Sequence, residues 1–234
     1  AAGALRFNLG KEEFAFIPSG VKDSLNVLAS RYGAGGAPHR YFVDGSPGTG
    51  DAYLNNSLSD SSGWNSVVVS GLRAGGKSVF AVDATRPTED TPTRFMWEFN
   101  ADESDKDMGY SYSQPQVVRL NDGNWAAVFG NGYNSNSQKA VLYVFNLATG
   151  AVINKIDTGV AGDNGLATPG LVLDGAGKVT TAYAGDLKGN VWKFNLNSST
   201  ASGASAAAFI SPMPECRPKA RAAYVAVVMT PRPA

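Results

Sequence analysis

The residues of this sequence with most capacity for chemistry are an acidic run in mid-chain and a single histidine near its start. Asp102, Glu103, Asp105 and Asp107 lie close together and supply the oxygen ligands that a cation prefers. Runs of this kind between strands are usually solvated connections, which is how we interpret this one. His39 has no serine and acid beside it that would indicate a nucleophilic site. Neither feature predicts catalysis.

Three glycine-rich turns have the composition of phosphate-binding loops. They cover residues 71–75, 130–132 and 185–189. A phosphate-binding loop opens a helix whose amino terminus faces the phosphate, and no helical pattern follows any of these turns. We therefore expect their glycines to supply positive φ angles or close packing at strand ends.

The bulk composition excludes several classes of function. Twenty basic residues balance twenty acidic ones, with no basic stripe, which is unfavourable for a nucleic-acid partner. The single cysteine, Cys216, permits neither an intrachain disulfide nor a cysteine-based zinc site. No apolar run approaches about 18 residues, so we expect no membrane span. Because the chain starts without an initiator methionine, we expect it to be a piece of a longer protein.

One pattern occurs three times: an apolar strand, a turn of small residues and glycine, and a second apolar strand that ends in Asp or Asn. Its signature glycines, Gly71, Gly130 and Gly185, are 59 and 55 residues apart, from 130 − 71 and 185 − 130. A period of this size with several strands per unit is typical of propeller blades. The alternative is a set of unrelated hairpins that look alike. We predict an all-β fold whose third strands cover residues 79–83, 141–146 and 191–195.

The chain divides into three parts. Residues 1–38 form a lead-in, with a short helix predicted by the spacing of Val21, Leu25 and Leu28. Residues 39–196 form about three four-stranded antiparallel blades, and this part begins with a strand at residues 39–44. The third blade shows three strand patterns and no fourth. Residues 197–234 form an irregular tail, interpreted either as a low-complexity linker or as an aberrant or truncated end.

Most of residues 12–196 resembles the propeller of the PilC/PilY family of type IV pilus tip adhesins and biogenesis proteins. The matching words are HRYFVDGSPGTGDAY, GGKSVFAVDAT, MWEF, DMGYSYSQPQVVRL, WAAVFGNGYNS and YAGDLKGNVWKFNL, in that order. The resemblance implies a modified seven-bladed propeller, of which this chain carries about three blades. It also implies a non-enzymatic, exported protein at the pilus tip, cell surface or outer membrane. Such proteins act in pilus assembly, retraction and adhesion, with minor pilins and host receptors as implied partners.

The family's calcium loop is degenerate in this chain. The resemblance places it before YAGD, where the sequence reads LDGAGKVTTAYAGD. Calcium needs six to eight oxygen ligands, which loops of this type supply from alternate positions. Asp174 keeps one such position, whereas Ala176 and Lys178 take the next two and Thr180 replaces a closing acid. We predict that Asp174 is a remnant without physiological calcium affinity, and we expect no cofactor.

Two further expectations follow. Trp64, Trp97, Trp125 and Trp192 are interpreted as core between blades rather than as a sugar platform. An open arc of blades should expose apolar faces at its two flanks, so we expect the chain to aggregate or oligomerise unless the parent's remaining blades cover them.

One alternative function stays open. The YVFNLATG word also fits the repeat of a quinoprotein dehydrogenase of the PQQ type. Such an enzyme needs a quinone site with calcium, an Asp base and often vicinal cysteines, and the single cysteine disfavours it.

Overall fold

The fold consists of three antiparallel four-stranded sheets, each built from strands consecutive in sequence. The computed structural model describes residues 15–26, 39–54, 63–86, 95–101 and 105–197, and the backbone of 205–210. Blade one has strand order β1-β2-β3-β4, blade two β5-β6-β7-β8 and blade three β9-β10-β11-β12. The strands are β1 (Gly48–Leu54), β2 (Gly63–Gly71), β3 (Ser78–Asp83), β4 (Phe95–Asn100), β5 (Gln116–Arg119), β6 (Trp125–Gly130), β7 (Val141–Asn146), β8 (Val152–Asp157), β9 (Gly170–Leu173), β10 (Val179–Gly185), β11 (Val191–Asn195) and β12 (Ser205–Ile210). The predicted all-β partial propeller and its three third strands are confirmed.

Two hydrophobic cores fill the spaces between successive blades, and β7 contributes to both. On one face of β7, Val141, Tyr143 and Phe145 pack against blade one. On the other face, Leu142 and Val144 pack against blade three. Side chains alternate between the faces of a strand, so a strand between two blades must be apolar along its whole length. The sequence VLYVFN meets that demand.

The free face of blade one has its own small core. Phe80 and Val82 of β3 are buried there with Val21 and Leu72, and Phe16 packs partly against them. The Phe16 ring lies 5.1 Å from those of both Phe80 and Phe95. We expected the two flanks of an open arc of blades to be exposed, but the lead-in covers part of the flank of blade one.

A carboxylate of β4 holds this lead-in in place. Glu98 accepts hydrogen bonds from the Ser19 and Gly20 amides, at 2.8 and 3.1 Å, and from the Ser78 hydroxyl at 3.1 Å. The predicted short helix is a 3-10 helix, Ser19–Ser24, continued by two α-helical residues. Leu28, the third residue of the predicted apolar stripe, lies outside the described residues.

Two other strand predictions were wrong. Residues 39–44 are irregular and cross the end of β2, where the Asp44 amide donates to the Leu72 carbonyl at 3.2 Å. Both edges of β2 are already paired, with β1 and β3, so a segment that crosses the end of β2 cannot pair with it. Blade three does have a fourth strand, because the SAAAFI segment pairs antiparallel with β11. Backbone pairing needs no particular side chain, and a run of Ala and Ser has little β-propensity to reveal it.

The described residues contain no helix long and apolar enough to cross a membrane. The division at residues 38 and 196 stays a prediction, with β12 lying inside the segment that we assigned to the tail.

Candidate functional site: the Asp174 loop and the blade hubs

The Asp or Asn that ends each third strand has a structural role. The side-chain Oδ1 atoms of Asp83, Asn146 and Asn195 each accept the amide of the residue two positions later, at 2.9, 3.0 and 3.0 Å. Short polar side chains favour such local bonds because these satisfy the backbone where a strand stops. The repeated Asp/Asn ending is therefore a strand terminator, not a ligand set.

The Asp174 loop is the tight turn between β9 and β10. The Asp174 amide donates to the Lys178 carbonyl at 2.8 Å, and the Gly177 amide donates to the Asp174 carbonyl at 3.1 Å. The Oδ1 atom of Asp174 accepts the amides of Ala176 and Lys178, at 2.8 and 2.9 Å. The backbone hydrogen bond from Lys178, with that from Ala176 and the nearby Lys178 charge, outweighs the opposing effect of desolvation and lowers the pKa of Asp174 below 3.8.

The turn between β10 and β11 repeats this geometry. The Asp186 amide donates to the Asn190 carbonyl at 2.9 Å, and the Gly189 amide to the Asp186 carbonyl at 3.1 Å. Asp186 Oδ1 accepts the amides of Lys188 and Asn190, at 3.0 and 2.8 Å. Gly177 and Gly189 both adopt positive φ angles, of 75° and 84°, where a side chain would be strained. Asp174 therefore occupies a position that tight-turn geometry by itself accounts for.

The residues of the Asp174 loop do not fit a calcium ion. Asp174 supplies the only carboxylate between β9 and β10, and its Oδ1 already accepts two amide protons. Lys178 places an ammonium on the same turn. In the described part of the chain, no group of three or more His, Cys, Asp or Glu side chains could hold a metal ion. With one acid and one cation, the loop falls far short of the ligand number and charge that calcium requires.

The acidic run is not a solvated loop throughout. Asp105 is buried, 7% exposed, and accepts hydrogen bonds from the Tyr143 hydroxyl at 2.8 Å and from Lys155 Nζ at 3.2 Å. Lys155 also pairs with Asp107 at 2.6 Å. Burial, the hydrogen bond to Asp105 and the two acidic charges raise the pKa of the Tyr143 hydroxyl, so it stays protonated and donates. Residues 102–104 lie outside the described residues.

Burial by itself would raise the pKa of Asp107, but the Lys155 and Ser137 hydrogen bonds and two lysine charges leave it lowered. Burial likewise opposes the charge of Lys155, whose hydrogen bonds to Asp107 and Asp105 nevertheless raise its pKa above 10.5. The cluster therefore acts as a partly buried ion-pair network, with Lys155 between Asp105 and Asp107, that joins the 105–108 connection to β7 and β8.

The residue after each signature glycine is buried where neighbouring segments of the chain meet, and we call it a hub. We did not predict this role from the sequence. These residues are Leu72, Asn131 and Asp186. Asn131 donates to the Asp107 and Lys139 carbonyls, at 2.7 and 2.8 Å. Its Oδ1 accepts the amides of Val141 and Leu166, at 3.1 and 3.0 Å. All the hydrogen-bonding groups of this buried amide are satisfied, and they join blade two to the segment that leads into blade three.

Asp186 plays the corresponding role in blade three. Its Oδ2 accepts Asn164 Nδ2 at 3.1 Å, Asn190 Nδ2 at 2.9 Å and Trp192 Nε1 at 2.9 Å. A buried carboxylate is stable when several donors surround it. The GL, GN and GD dipeptides at equal repeat positions were the available signal for these hubs.

The glycines of the turns permit close approach, as expected. A Cβ on Gly130 would lie 2.4 Å from the Ala167 carbonyl oxygen, and one on Gly71 would lie 2.6 Å from the Ser111 side chain. Neighbouring blades could not pack this closely around any larger residue. The first turn also contains a single 3-10 turn, Arg73–Gly75, which we had not expected.

Three of the four tryptophans pack in the cores between blades, as predicted. Trp97 and Trp192 are buried, at 5% and 7% exposure, and the half-buried Trp125 packs against the core between blades one and two. Trp64 is 64% exposed. The four do not occupy matching positions, because Trp97 lies in a fourth strand and Trp192 in a third. Trp64 and Trp125 lie near the starts of second strands, with ring centroids 5.9 Å apart.

A proline precedes the first strand of each of the three blades. Pro47, Pro115 and Pro169 stand immediately before β1, β5 and β9. Proline has no backbone N–H to donate to a strand ladder, so it is tolerated at the start of a strand. Gln114 joins these entry points, since its Nε2 donates to the Pro47 carbonyl at 2.8 Å and its amide donates to Thr168 Oγ1 at 2.9 Å.

Comparison with known proteins agrees with this architecture. Residues 8–215 match the family model described as the PilY1 beta-propeller domain. The chain is 44% identical over 201 residues to a type IV pilus biogenesis factor PilY1 homolog of Xylella fastidiosa. It is also 44% identical over 190 residues to the type IV pilus biogenesis factor PilY1 of Pseudomonas aeruginosa. Each alignment covers 80% of this chain but only 13% and 15% of the respective relative.

A solved structure supports the same assignment. The crystal structure of the Pseudomonas aeruginosa PilY1 C-terminal domain superposes with a TM-score of 0.66 at 37% identity, covering 84% of this chain and 40% of that one. Repeat, blade topology and sequence identity thus agree, and the chain belongs to the PilY1 β-propeller domain family of type IV pilus biogenesis factors.

Proposed function

We propose that this chain is a non-enzymatic part of a type IV pilus biogenesis propeller, which supports pilus assembly, control of retraction and surface adhesion. The observation that carries the proposal is the 44% identity to PilY1 over most of the chain, supported by the superposition on the PilY1 C-terminal domain with a TM-score of 0.66. The polar residues at the repeat positions satisfy one another in turns and hubs, which suits a scaffold. The family assignment favours this function over the quinoprotein dehydrogenase.

The proposed location is outside the cytoplasm, at the pilus tip, cell surface or outer membrane. The proposed partners are tip or minor pilin components, host-surface receptors and the remaining blades of the parent propeller. Because the chain spans 13–15% of the relatives' length, these partners and this location belong to the proposal for the whole protein.

A chimera tests the proposal. Residues 39–197 of this chain would replace the aligned segment of Pseudomonas aeruginosa PilY1 in a strain that lacks its own copy. We expect surface pili and twitching motility to return. A matched chimera with Phe145→Ala, which opens the core between blades one and two, should restore neither. A stable, exported wild-type chimera without pili or twitching would contradict the proposal.

A further inference from the structure

The β9–β10 turn is joined to blade two by its own lysine. Lys178 is half-buried, and its Nζ donates to the backbone carbonyl of Asn121 at 3.1 Å. Asn121 belongs to the turn between β5 and β6, where the Leu120 amide donates to the Asn124 carbonyl at 2.8 Å. An ammonium is a stronger donor than a neutral amide. This bond therefore connects two turns that lie in different blades.

Asn121 returns the interaction in the other direction. Its Nδ2 donates to the Val179 carbonyl at 3.0 Å, immediately after Lys178, and lies 3.4 Å from the Leu196 carbonyl. The backbones also meet here, because Arg119 and Lys178 form an isolated parallel bridge. The two turns thus exchange hydrogen bonds both ways at the edge of the core between blades two and three.

The β10–β11 turn shows that turn geometry does not impose this contact. Asn190 holds the same position in that turn as Lys178 does in the first. Its Nδ2 folds back onto Asp186 Oδ2 of its own turn, at 2.9 Å. With the same backbone hydrogen bonds, one side chain closes its own turn and the other leaves it to reach blade two. The length and charge of the lysine account for the difference.

We propose that Lys178 is a built-in cation that ties the β9–β10 turn to blade two, so that this loop is held in place without a metal ion. The family resemblance implies a calcium-responsive loop at this position. The residues here do not fit calcium, and an ammonium carried by the chain itself makes the connection to the neighbouring blade. The attachment is then constitutive and does not follow the calcium concentration.

Amide hydrogen exchange on the 234-residue chain tests the tie. The reporters are the Asp174, Gly177 and Lys178 amides, which bond within the turn. Lys178→Met keeps the apolar stem and removes the ammonium, and we expect these amides to exchange about tenfold faster, the effect of losing one charge-assisted hydrogen bond. Lys188→Met, in the equivalent turn, is the matched control and should leave their exchange unchanged. Equal exchange in the two variants would overturn the proposal.

A second variant covers the case in which Lys178→Met does not fold. Lys178→Gln keeps a neutral donor on a shorter stem, and its reporter amides should exchange faster than those of the wild type. Wild-type exchange in Lys178→Gln would show that the charge is dispensable and would overturn the proposal.

The calcium arm uses the wild-type chain with and without about 5 mM calcium chloride, well above the affinity range of extracellular calcium modules. We expect superimposable exchange at the reporter amides. A saturable, calcium-dependent protection would overturn the proposal, because it would require the ion that Lys178 is argued to replace. These readouts are physical and independent of pili, so their failure is distinguishable from failure of the chimera.

Discussion

The two interfaces between blades have the same architecture and different chemistry. The interface of blades one and two is aromatic, with Phe129, Tyr143 and Phe145 fully buried. The ring of Phe145 lies 5.0 Å from that of Phe99 and 5.1 Å from that of Phe129. The interface of blades two and three is mainly aliphatic, with its aromatics, Trp192 and Phe194, on β11.

The carboxylates at the two interfaces also have different partners. At the first interface, Asp105 and Asp107 share the ammonium of Lys155. At the second, the Asp186 carboxylate is surrounded by amide and indole donors. The propeller architecture therefore determines which positions are buried. It does not determine which donors or charges satisfy each buried polar group.

The largest expected effect separates the two faces of β7. Phe145→Ala should lower the free energy of unfolding by about 3–5 kcal/mol, because a ring is deleted from a fully buried aromatic cluster. Val144→Ala, on the opposite face, removes far less volume and should cost about half as much. Chemical denaturation of both variants measures the difference. Equal losses would contradict close packing of the aromatic cluster, because the larger deletion would then cost no more than the smaller one.

The next effect concerns the ion pair. Lys155→Met removes the cation shared by Asp105 and Asp107, and we expect a loss of about 2 kcal/mol, a value reduced because the lysine is partly solvent-exposed. The control is Lys139→Met, which breaks the exposed pair with Asp157 at 2.7 Å and should change stability little. The comparison fails if the two lysines prove equivalent in denaturant titrations.

The same cluster predicts a pH dependence. The pKa of Asp107 is lowered in the folded state, so its contribution is present above the unfolded pKa of about 3.8 and is lost as pH falls through the lower folded pKa. The raised pKa of Lys155 places the loss of its contribution above about pH 10.5. Thermal melts between about pH 5 and about pH 2 should therefore decline less steeply for Asp107→Asn than for the wild type. Parallel pH profiles would exclude Asp107 as a source of acid sensitivity.

The smallest effect extends the comparison to the flank of blade one. Glu98→Gln weakens the acceptor that holds the Ser19 and Gly20 amides, at an expected cost of about 1 kcal/mol. Release of the lead-in exposes Phe80 and Val82, so we expect self-association to increase in sedimentation experiments. Asp122→Asn, in the exposed β5–β6 turn, serves as the charge-matched control. An unchanged sedimentation profile would mean that the lead-in does not protect this flank.

Much of this fold could be predicted from the sequence, because the features that define the blade repeat are local in sequence. Apolar strands, glycine turns and the Asp or Asn at each third-strand end act over a few residues, and they located Val79–Asp83, Val141–Asn146 and Val191–Asn195 in their sheets. The lack of acidic residues in the Asp174 loop could also be recognised, because the sequence itself shows which residues could serve as metal ligands.

The tertiary structure decided what depends on neighbours. Whether residues 39–44 form a strand depends on a free edge, and whether β12 forms depends on the open edge of β11. The burial of Asp105 and the hub roles of Asn131 and Asp186 require partners that are distant in sequence, such as Lys155 and Leu166. Local pattern specifies backbone conformation and turn chemistry, whereas desolvation and hydrogen-bond satisfaction are set by the blades packed around a residue.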